Sequence, residues 1–364
     1  MTDRPVLRNF DWVLLACMVL LAGYGILMIF SATFQTQNSG LYLKQLEWLL
    51  LGAVVFIVII NIDYHFLTDS SLLFYVFSLI LLVAVLIFGK RISGAKSWFV
   101  FGQFHFQPSE IAKIASILLL SHYLSAESRT YLVFRDFVMA GLIMGIPMVL
   151  IILQPDMGTT ITFLPPLILL MFLAGMQYRL ILLAILGGLA SLPVFWLFLK
   201  NYQKARILTF IDPSIDPLGA GYQILQSKIA VGSGRIFGKG LFSKATQAYL
   251  DYVPEKHTDF IFSIVAENFG LIGVLVALTL YFILLYRMLL TAKQARDRVG
   301  TFVVMGIMAV FFFHVVVNIC MIIGLMPITG LPLPLMSYGG SSLLSTIIGL
   351  AIVMNIRMRR FVNF

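Results

Sequence analysis

The segment Pro254-Glu-Lys-His-Thr-Asp259 sets acids, a lysine and a histidine directly before a long apolar run, with Asp251 just upstream. Asp259 is read as lying in the first turn of the helix that this run forms. There the helix dipole, Lys256 and His257 favour the carboxylate while partial burial opposes it, so the sequence fixes no pKa. An ionised carboxylate at a membrane surface is a candidate general base. The plainer alternative is an acid that only stabilises its helix start. Glu267 follows about two turns on, on the same face, and Asp156 opens another apolar run. Asp259, Glu267 and Asp156 make a candidate ligand set for Mg²⁺ or Mn²⁺, which prefer oxygen donors and substrate phosphates; pairing with Lys or Arg is the commoner use of such acids.

Cations and helix starts point to an anion. Four polar clusters each precede an apolar run: Gln107-Pro-Ser-Glu-Ile-Ala-Lys113, Gln154-Pro-Asp-Met-Gly158, His257-Thr-Asp259 and Ser337-Tyr-Gly-Gly-Ser-Ser342. Ser109, Thr258 and Ser341 are expected N-caps, and Pro108 suits entry into a helix. Helix N-termini that converge in this way bind phosphate. Adding Lys96, Lys113, Arg206, Lys228, Arg235, Lys239 and Lys256 gives a basic vestibule suited to a pyrophosphate carried on a lipid. The candidate substrate-binding residues are Lys96, Glu110, Lys113, Gln154, Asp156, Arg206, Lys239, Lys256, His257, Thr258 and Ser341, with Lys113, Arg206 and Lys239 chosen for pyrophosphate contact. The competing reading is that caps and glycines merely start helices and lysines snorkel. His65, His105, His122 and His314 have no metal-ligand spacing and are read as structural. Cys17 and Cys320 sit inside apolar runs, which excludes a disulfide framework or a Cys-based metal site.

The elements that must position these residues follow from composition. With 60% hydrophobic and 11% charged residues and a mean hydropathy of +0.98, the chain is an all-α polytopic membrane protein. A net charge of +9, from 25 Lys and Arg against 16 Asp and Glu, is too scattered for a nucleic-acid groove and suits an anionic ligand or lipid headgroup. Apolar runs near 11–31, 46–62, 71–89, 109–125, 135–153, 159–176, 179–199, 259–289, 301–323 and 340–356 predict ten transmembrane helices. The first is read as a retained span. An even count puts both termini on one side. Arg4, Arg8, Arg129, Arg135, Arg179, Arg287, Lys293, Arg296, Arg298, Arg357, Arg359 and Arg360 mark that side as cytoplasmic. Spans four, six, eight and ten then begin at the outer surface, each with one of the polar clusters.

Residues 1–364 are read as a single domain, with 200–258 a large extracellular loop between spans seven and eight. Tyr222, Leu225 and Ile229 predict a short amphipathic helix lying in the interface, and Gly232, Gly234, Gly238 and Gly240 follow as turn material. Phe99, Phe101, Phe104 and Phe106 are read as interfacial packing. Pro165-Pro166 and Pro327, Pro332 and Pro334 predict broken backbone beside a cavity.

The same blocks carry a family resemblance. Pro254-Glu-Lys-His-Thr-Asp-Phe-Ile-Phe262, Gln154-Pro-Asp-Met-Gly158, Gln107-Pro-Ser-Glu-Ile-Ala-Lys113, Gly221-Tyr-Gln223 and Gly330-Leu-Pro-Leu-Pro-Leu-Met-Ser-Tyr-Gly-Gly-Ser-Ser342 resemble, in order along the whole chain, the signature blocks of the SEDS family (shape, elongation, division and sporulation). Gly238-Lys-Gly-Leu241, Thr246-Gln247 and Pro327-Ile-Thr-Gly330 look like its RodA branch more than its FtsW branch. The resemblance implies a ten-helix peptidoglycan glycosyltransferase, a hexosyltransferase that polymerises lipid II on the outer face of the bacterial cytoplasmic (inner) membrane for cell elongation and rod shape. It also implies a class B penicillin-binding protein as transpeptidase partner and no organic cofactor. Asp259 matches the family's essential aspartate. It would take the proton from the acceptor 4-hydroxyl as that oxygen displaces undecaprenyl pyrophosphate with inversion, giving a β-1,4 bond. One departure is Glu267-Asn268, where many relatives have two adjacent acids.

Two other classes compete: a flippase of lipid-linked cell-wall precursors, and a scaffold that only positions enzymes. The flippase would place ionisable groups near the bilayer midplane and show inverted repeats. This chain gathers most of them at helix ends, with Glu267 the chief exception, and shows no convincing repeat.

Overall fold

The computed structural model describes residues 9–34, 40–92, 94–102, 104–126, 133–217, 219–243, 246–247, 250, 252 and 255–360. Arg4, Arg8, Arg129, Asp251 and Pro254 lie outside them. Among the described residues seven helices are long and apolar enough to cross a bilayer: α1 (Trp12–Thr33), α2 (Leu41–Asn61), α4 (Ser71–Phe88), α6 (Phe134–Leu153), α12 (Ile261–Lys293), α13 (Arg298–Ile322) and α14 (Gly340–Met358). A short helix, α3 (Tyr64–Asp69), links α2 to α4.

By this criterion the count is seven rather than ten, and the three other expected spans differ for separate reasons. Helix α5 (Pro108–Ala126) buries Ser109, Glu110, Lys113, Ser116 and Ser121, so its hydropathy is low because it packs inside the protein. The sixth span is divided into α7 (Met157–Ile161) and α8 (Leu164–Leu173), with Pro165-Pro166 in the first turn of the second piece, where a missing N–H costs nothing. The seventh, α9 (Tyr178–Phe198), contributes a shorter apolar stretch, Tyr178–Ala190.

The fold is not purely helical. Strands β1 (Lys90–Ile92), β2 (Ala95–Phe101) and β3 (Phe104–Phe106) form an antiparallel sheet in which Phe99 pairs with Phe106 and Phe101 with Phe104. The alternating phenylalanines are thus the period-two signature of strands.

The side-chain caps that form are aspartates on other helices, and the expected Thr258 and Ser341 caps do not form. Asp11, Asp63, Asp156 and Asp297 each accept a backbone N–H at the start of α1, α3, α7 and α13. Helix α14 instead starts after Gly339 with no side-chain cap, and α12 after Phe260. Helices α13 and α14 are mostly buried and form the centre, with α5, α8 and α12 packed on α13, α2 on α14, and α1 on α12.

One helix break and one long connection shape the region above this core. Helix α12 is interrupted at Gly270 (φ 64°, ψ −155°), so the long apolar run is two helices in series. The 200–258 connection holds α10 (Asn201–Ile211), a 3₁₀ turn (Pro213–Ile215) and α11 (Ala220–Ser233), and then returns to the break. Leu271 N–H donates to Arg235 O (2.9 Å) and Ile272 N–H to Ile236 O (3.2 Å), while Lys239 and Gly240 N–H donate to Glu267 and Asn268 O (2.9 and 3.0 Å). The glycines read as turn material therefore do more. A side chain at Gly238 would begin 2.2 Å from Asn268 O, and one at Gly270 2.5 Å from Ile236 O, so these glycines let loop backbone satisfy the groups freed by the break.

Candidate active site

Asp259 sits just before α12, in a run of turns over residues 255–260, rather than in the first helical turn. Three consecutive carbonyls of this run are held from outside it. His257 O accepts Tyr338 N–H at 2.9 Å, Thr258 O accepts Ser337 Oγ at 2.6 Å, and Asp259 O accepts Asn318 Nδ2 at 2.9 Å. Asn318, on α13, also donates to Leu331 O at 2.8 Å. Ser337 Oγ accepts Leu333 N–H, and Gln45 of α2 holds Ser337 O and Gly339 N–H. The Asp259 backbone is thus fastened to the proline-rich 327–339 segment and to α13. Such shared hydrogen bonds hold the turn in one geometry.

The carboxylate itself faces Gly330, where a side chain would begin 3.6 Å from Asp259 Oδ2. Gly330 has φ 73° and lies at the surface, so the backbone leaves the carboxylate an open side. Burial, aided by the nearby Glu255 charge, pushes Asp259 up from the ordinary 3.8 to about 6, and the Arg206 guanidinium partly offsets this. Burial therefore outweighs the nearby cation. Arg206, on α10, also reaches Ile328 O (3.5 Å) in the same proline-rich segment.

The neighbouring polar cluster joins four other expected site residues. Asp156 Oδ2 accepts Gln107 Nε2 (3.0 Å) and Thr159 Oγ1 (2.9 Å). Ser341 Oγ donates to His105 O (2.8 Å) and accepts Gln107 N–H (3.2 Å), which ties α14 to β3. Gln154 O accepts Lys96 N–H (3.2 Å), and Lys96 Nζ binds Ile87 O (2.8 Å) at the end of α4. Lys96, Gln154 and Ser341 thus serve as ties between elements.

Lys113 and Glu110 are buried and paired at 2.9 Å, with Ser345 Oγ donating to Glu110 and His314 Nε2 3.4 Å from Lys113. They line a cavity of about 50 Å³ between α5, α13 and α14. Gly158, in α7, approaches so closely that a side chain would begin 2.3 Å from Thr329 O, which brings this cluster's support beside Gly330. Lys256 is buried, and the His257 ring lies 5.8 Å from that of Tyr338. Thr258 Oγ1 is turned to Glu255.

Glu267 is fully buried and accepts Lys239 Nζ (2.7 Å) and Gln247 N–H (2.7 Å) at the helix break. The expected metal set does not assemble. Asp156 is committed to Gln107 and Thr159 and Glu267 to Lys239, and among the described residues no group of three or more His, Cys, Asp or Glu side chains could hold a metal ion. The three carboxylates therefore do not fit as one divalent-cation site.

Sequence reasoning did not single out Gln45, Asn318 or Ser345. A polar side chain in an apolar run was the available signal.

A family model described as "Cell cycle protein" (FTSW_RODA_SPOVE) matches residues 11–361. The chain is 38% identical to the "Peptidoglycan glycosyltransferase MrdB" of Escherichia coli K12, over 99% of this chain and 98% of that protein. It is 34% identical to the "Peptidoglycan glycosyltransferase RodA" of Treponema pallidum, over 97% and 98%. A solved chain described as "Structural coordination of polymerization and crosslinking by a peptidoglycan synthase complex" superposes with a TM-score of 0.83 at 31% identity, covering 97% of this chain and 99% of that one. The Rod shape determining protein RodA of Thermus thermophilus gives 0.74 at 29% identity, over 97% and 98%. Matched over nearly its whole length by the family model and by these relatives, the chain belongs to the FtsW/RodA/SpoVE family, the SEDS family of membrane proteins.

Proposed function

We propose that this protein is a peptidoglycan glycosyltransferase that polymerises lipid II, with Asp259 as general base. The observation that carries the reading is the Asp259 turn. A carboxylate pushed up to about 6 stands open beside Gly330, on a backbone held at three successive carbonyls. Such a group is ionised at neutral pH yet basic enough to accept a proton from a sugar hydroxyl. Relatives 34–38% identical over nearly the full length carry the name peptidoglycan glycosyltransferase.

Asp259 removes the proton from the 4-hydroxyl of the acceptor N-acetylglucosamine as that oxygen attacks the anomeric carbon of the donor N-acetylmuramic acid. The C–O bond to undecaprenyl pyrophosphate breaks and its electron pair leaves with the phosphate. One displacement inverts the α-linked donor to a β-1,4 bond, so no second carboxylate is needed as nucleophile. Arg206, beside Asp259, is the best-placed cation for the departing pyrophosphate; Lys113 and Lys239 already neutralise Glu110 and Glu267. Glu110, Gln154, Asp156, Lys96 and Ser341 act by holding together the elements around the Asp259 turn.

The same reading takes the seven apolar helices with α5, the divided α7–α8 and α9 as ten spans of one domain, both termini cytoplasmic and residues 200–258 outside, in the bacterial inner membrane. A class B penicillin-binding protein is the proposed partner, since a solved relative belongs to a complex for polymerization and crosslinking. Rod elongation rather than division is the proposed role. The test is to incubate the purified chain, its penicillin-binding partner with transpeptidation blocked, and lipid II. Glycan strands and released undecaprenyl pyrophosphate are expected; precursor movement across vesicles without strands would overturn the reading in favour of a flippase.

A further inference from the structure

The loop that completes the broken helix also lies at the level of the lipid. Between Glu267 and Arg287, α12 has 19 residues with no acidic or basic side chain. The 16 that follow the break at Gly270 rise roughly 24 Å at about 1.5 Å per residue, and with the residues of the break itself the run comes close to the ~30 Å of a bilayer's hydrocarbon core. Glu267 and Lys239 therefore mark the hydrocarbon boundary nearer Asp259. Just below it, Leu271, Ile272, Leu275 and Val276 are exposed on α12, as apolar side chains on a spanning helix are where they meet lipid. The bonds from Leu271 N–H to Arg235 O and from Ile272 N–H to Ile236 O fix the loop beside this first lipid-facing turn. At that depth the loop exposes Arg235 together with Ile236 (57% accessible) and Phe237 (76%). Apolar tips next to an arginine, continuous with a lipid-facing helix surface, match an interfacial anchor.

We propose that Arg235-Ile-Phe237 is a membrane wedge: Ile236 and Phe237 insert into the leaflet nearer Asp259, and Arg235 contacts the phosphates of its phospholipids. Because Lys239 and Glu267 lock the same loop to α12, the wedge sets the height of the Asp259 turn above the lipid.

The test uses the full chain in phosphatidylcholine/phosphatidylglycerol nanodiscs, with Cys17→Ala and Cys320→Ala and one spin label at Phe237→Cys. Labels at Leu275→Cys and Ser214→Cys provide lipid and aqueous references; all three side chains are exposed, so labelling leaves the packing intact. The label at 237 should collide with oxygen in preference to a soluble nickel complex, as at 275, and one at Arg235→Cys should broaden the phospholipid ³¹P signal more than those at 275 or 214. A nickel preference at 237 like that at 214, shielding from both reagents, or no extra ³¹P broadening overturns the wedge. So does burial of the 237 label only when a penicillin-binding protein is added, which would make the surface a protein interface.

Discussion

Asn318 Nδ2 donates to the carbonyls of both Asp259 and Leu331, at 2.9 and 2.8 Å, and so ties the turn that carries the base to the segment that faces it. An amide inside an apolar helix is costly, and here only its Nδ2 end is paired, the buried Oδ1 having no partner among the described residues. The amide is used to join α13, the Asp259 turn and the proline-rich segment beside Gly330.

Asn318→Ala leaves both carbonyls without this donor. Each buried unsatisfied group costs about 1–3 kcal/mol. The expected outcome is a folded protein with kcat lowered about tenfold or more and KM little changed, measured by lipid II turnover beside a thermal melt. Unchanged kcat in a folded variant would show that the Asp259 backbone needs no such tie.

The pH profile should report Asp259 directly. A base pushed up to about 6 is protonated below that value, so the rate should fall about tenfold per pH unit on the acid side and level off above about pH 7. Arg206→Gln removes the cation that offsets burial and should move the limb to higher pH; Glu255→Gln removes a like charge and should move it lower. The same shift carries a stability sign: between 3.8 and about 6 the folded state holds the Asp259 proton more tightly, so this group's contribution to stability falls as pH rises through that window.

Glu267, fully buried, pairs with the half-buried Lys239 at 2.7 Å. Removing one partner strands the other charge, a cost of about 3–5 kcal/mol, whereas replacing both with apolar residues is close to neutral. Lys239→Met and Glu267→Gln singly should lower the melting temperature sharply, and a Lys239→Met, Glu267→Leu double variant should recover most of it. Additive losses in the cycle would contradict a specific pair.

Gly270→Ala tests the helix break. Alanine is strained at φ 64°, ψ −155°, and its Cβ would meet the backbone of Ile236 and Gly238 at 2.5 Å. A loss of about 2 kcal/mol or more is expected from backbone strain and displaced loop bonds, seen as a lower melting temperature and faster proteolysis within 234–240.

Much of this was legible in the chain because hydrocarbon imposes simple rules. Apolar runs located the helices, and the blocks around Asp259, Asp156 and Ser341 converged on one region as expected. What escaped reading depended on tertiary contact. Ser109, Thr258 and Ser341 have the chemistry of caps, yet α12 and α14 start without a side-chain cap, and Ser341 bonds His105 and Gln107 instead. Glu267 was placed with Asp259 by helical spacing, but Lys239, brought from the long loop, claims it. The break at Gly270 left no local mark, since only the incoming 235–240 backbone makes it affordable.

The central claim is tested most directly by lipid II polymerisation with the transpeptidase-blocked partner, comparing the wild-type chain with Asp259→Asn. Asparagine keeps the shape of the side chain and loses its basicity. The account predicts glycan strands from wild type and none from a folded, partner-binding Asp259→Asn variant; strands from both at similar rates would contradict Asp259 as the base.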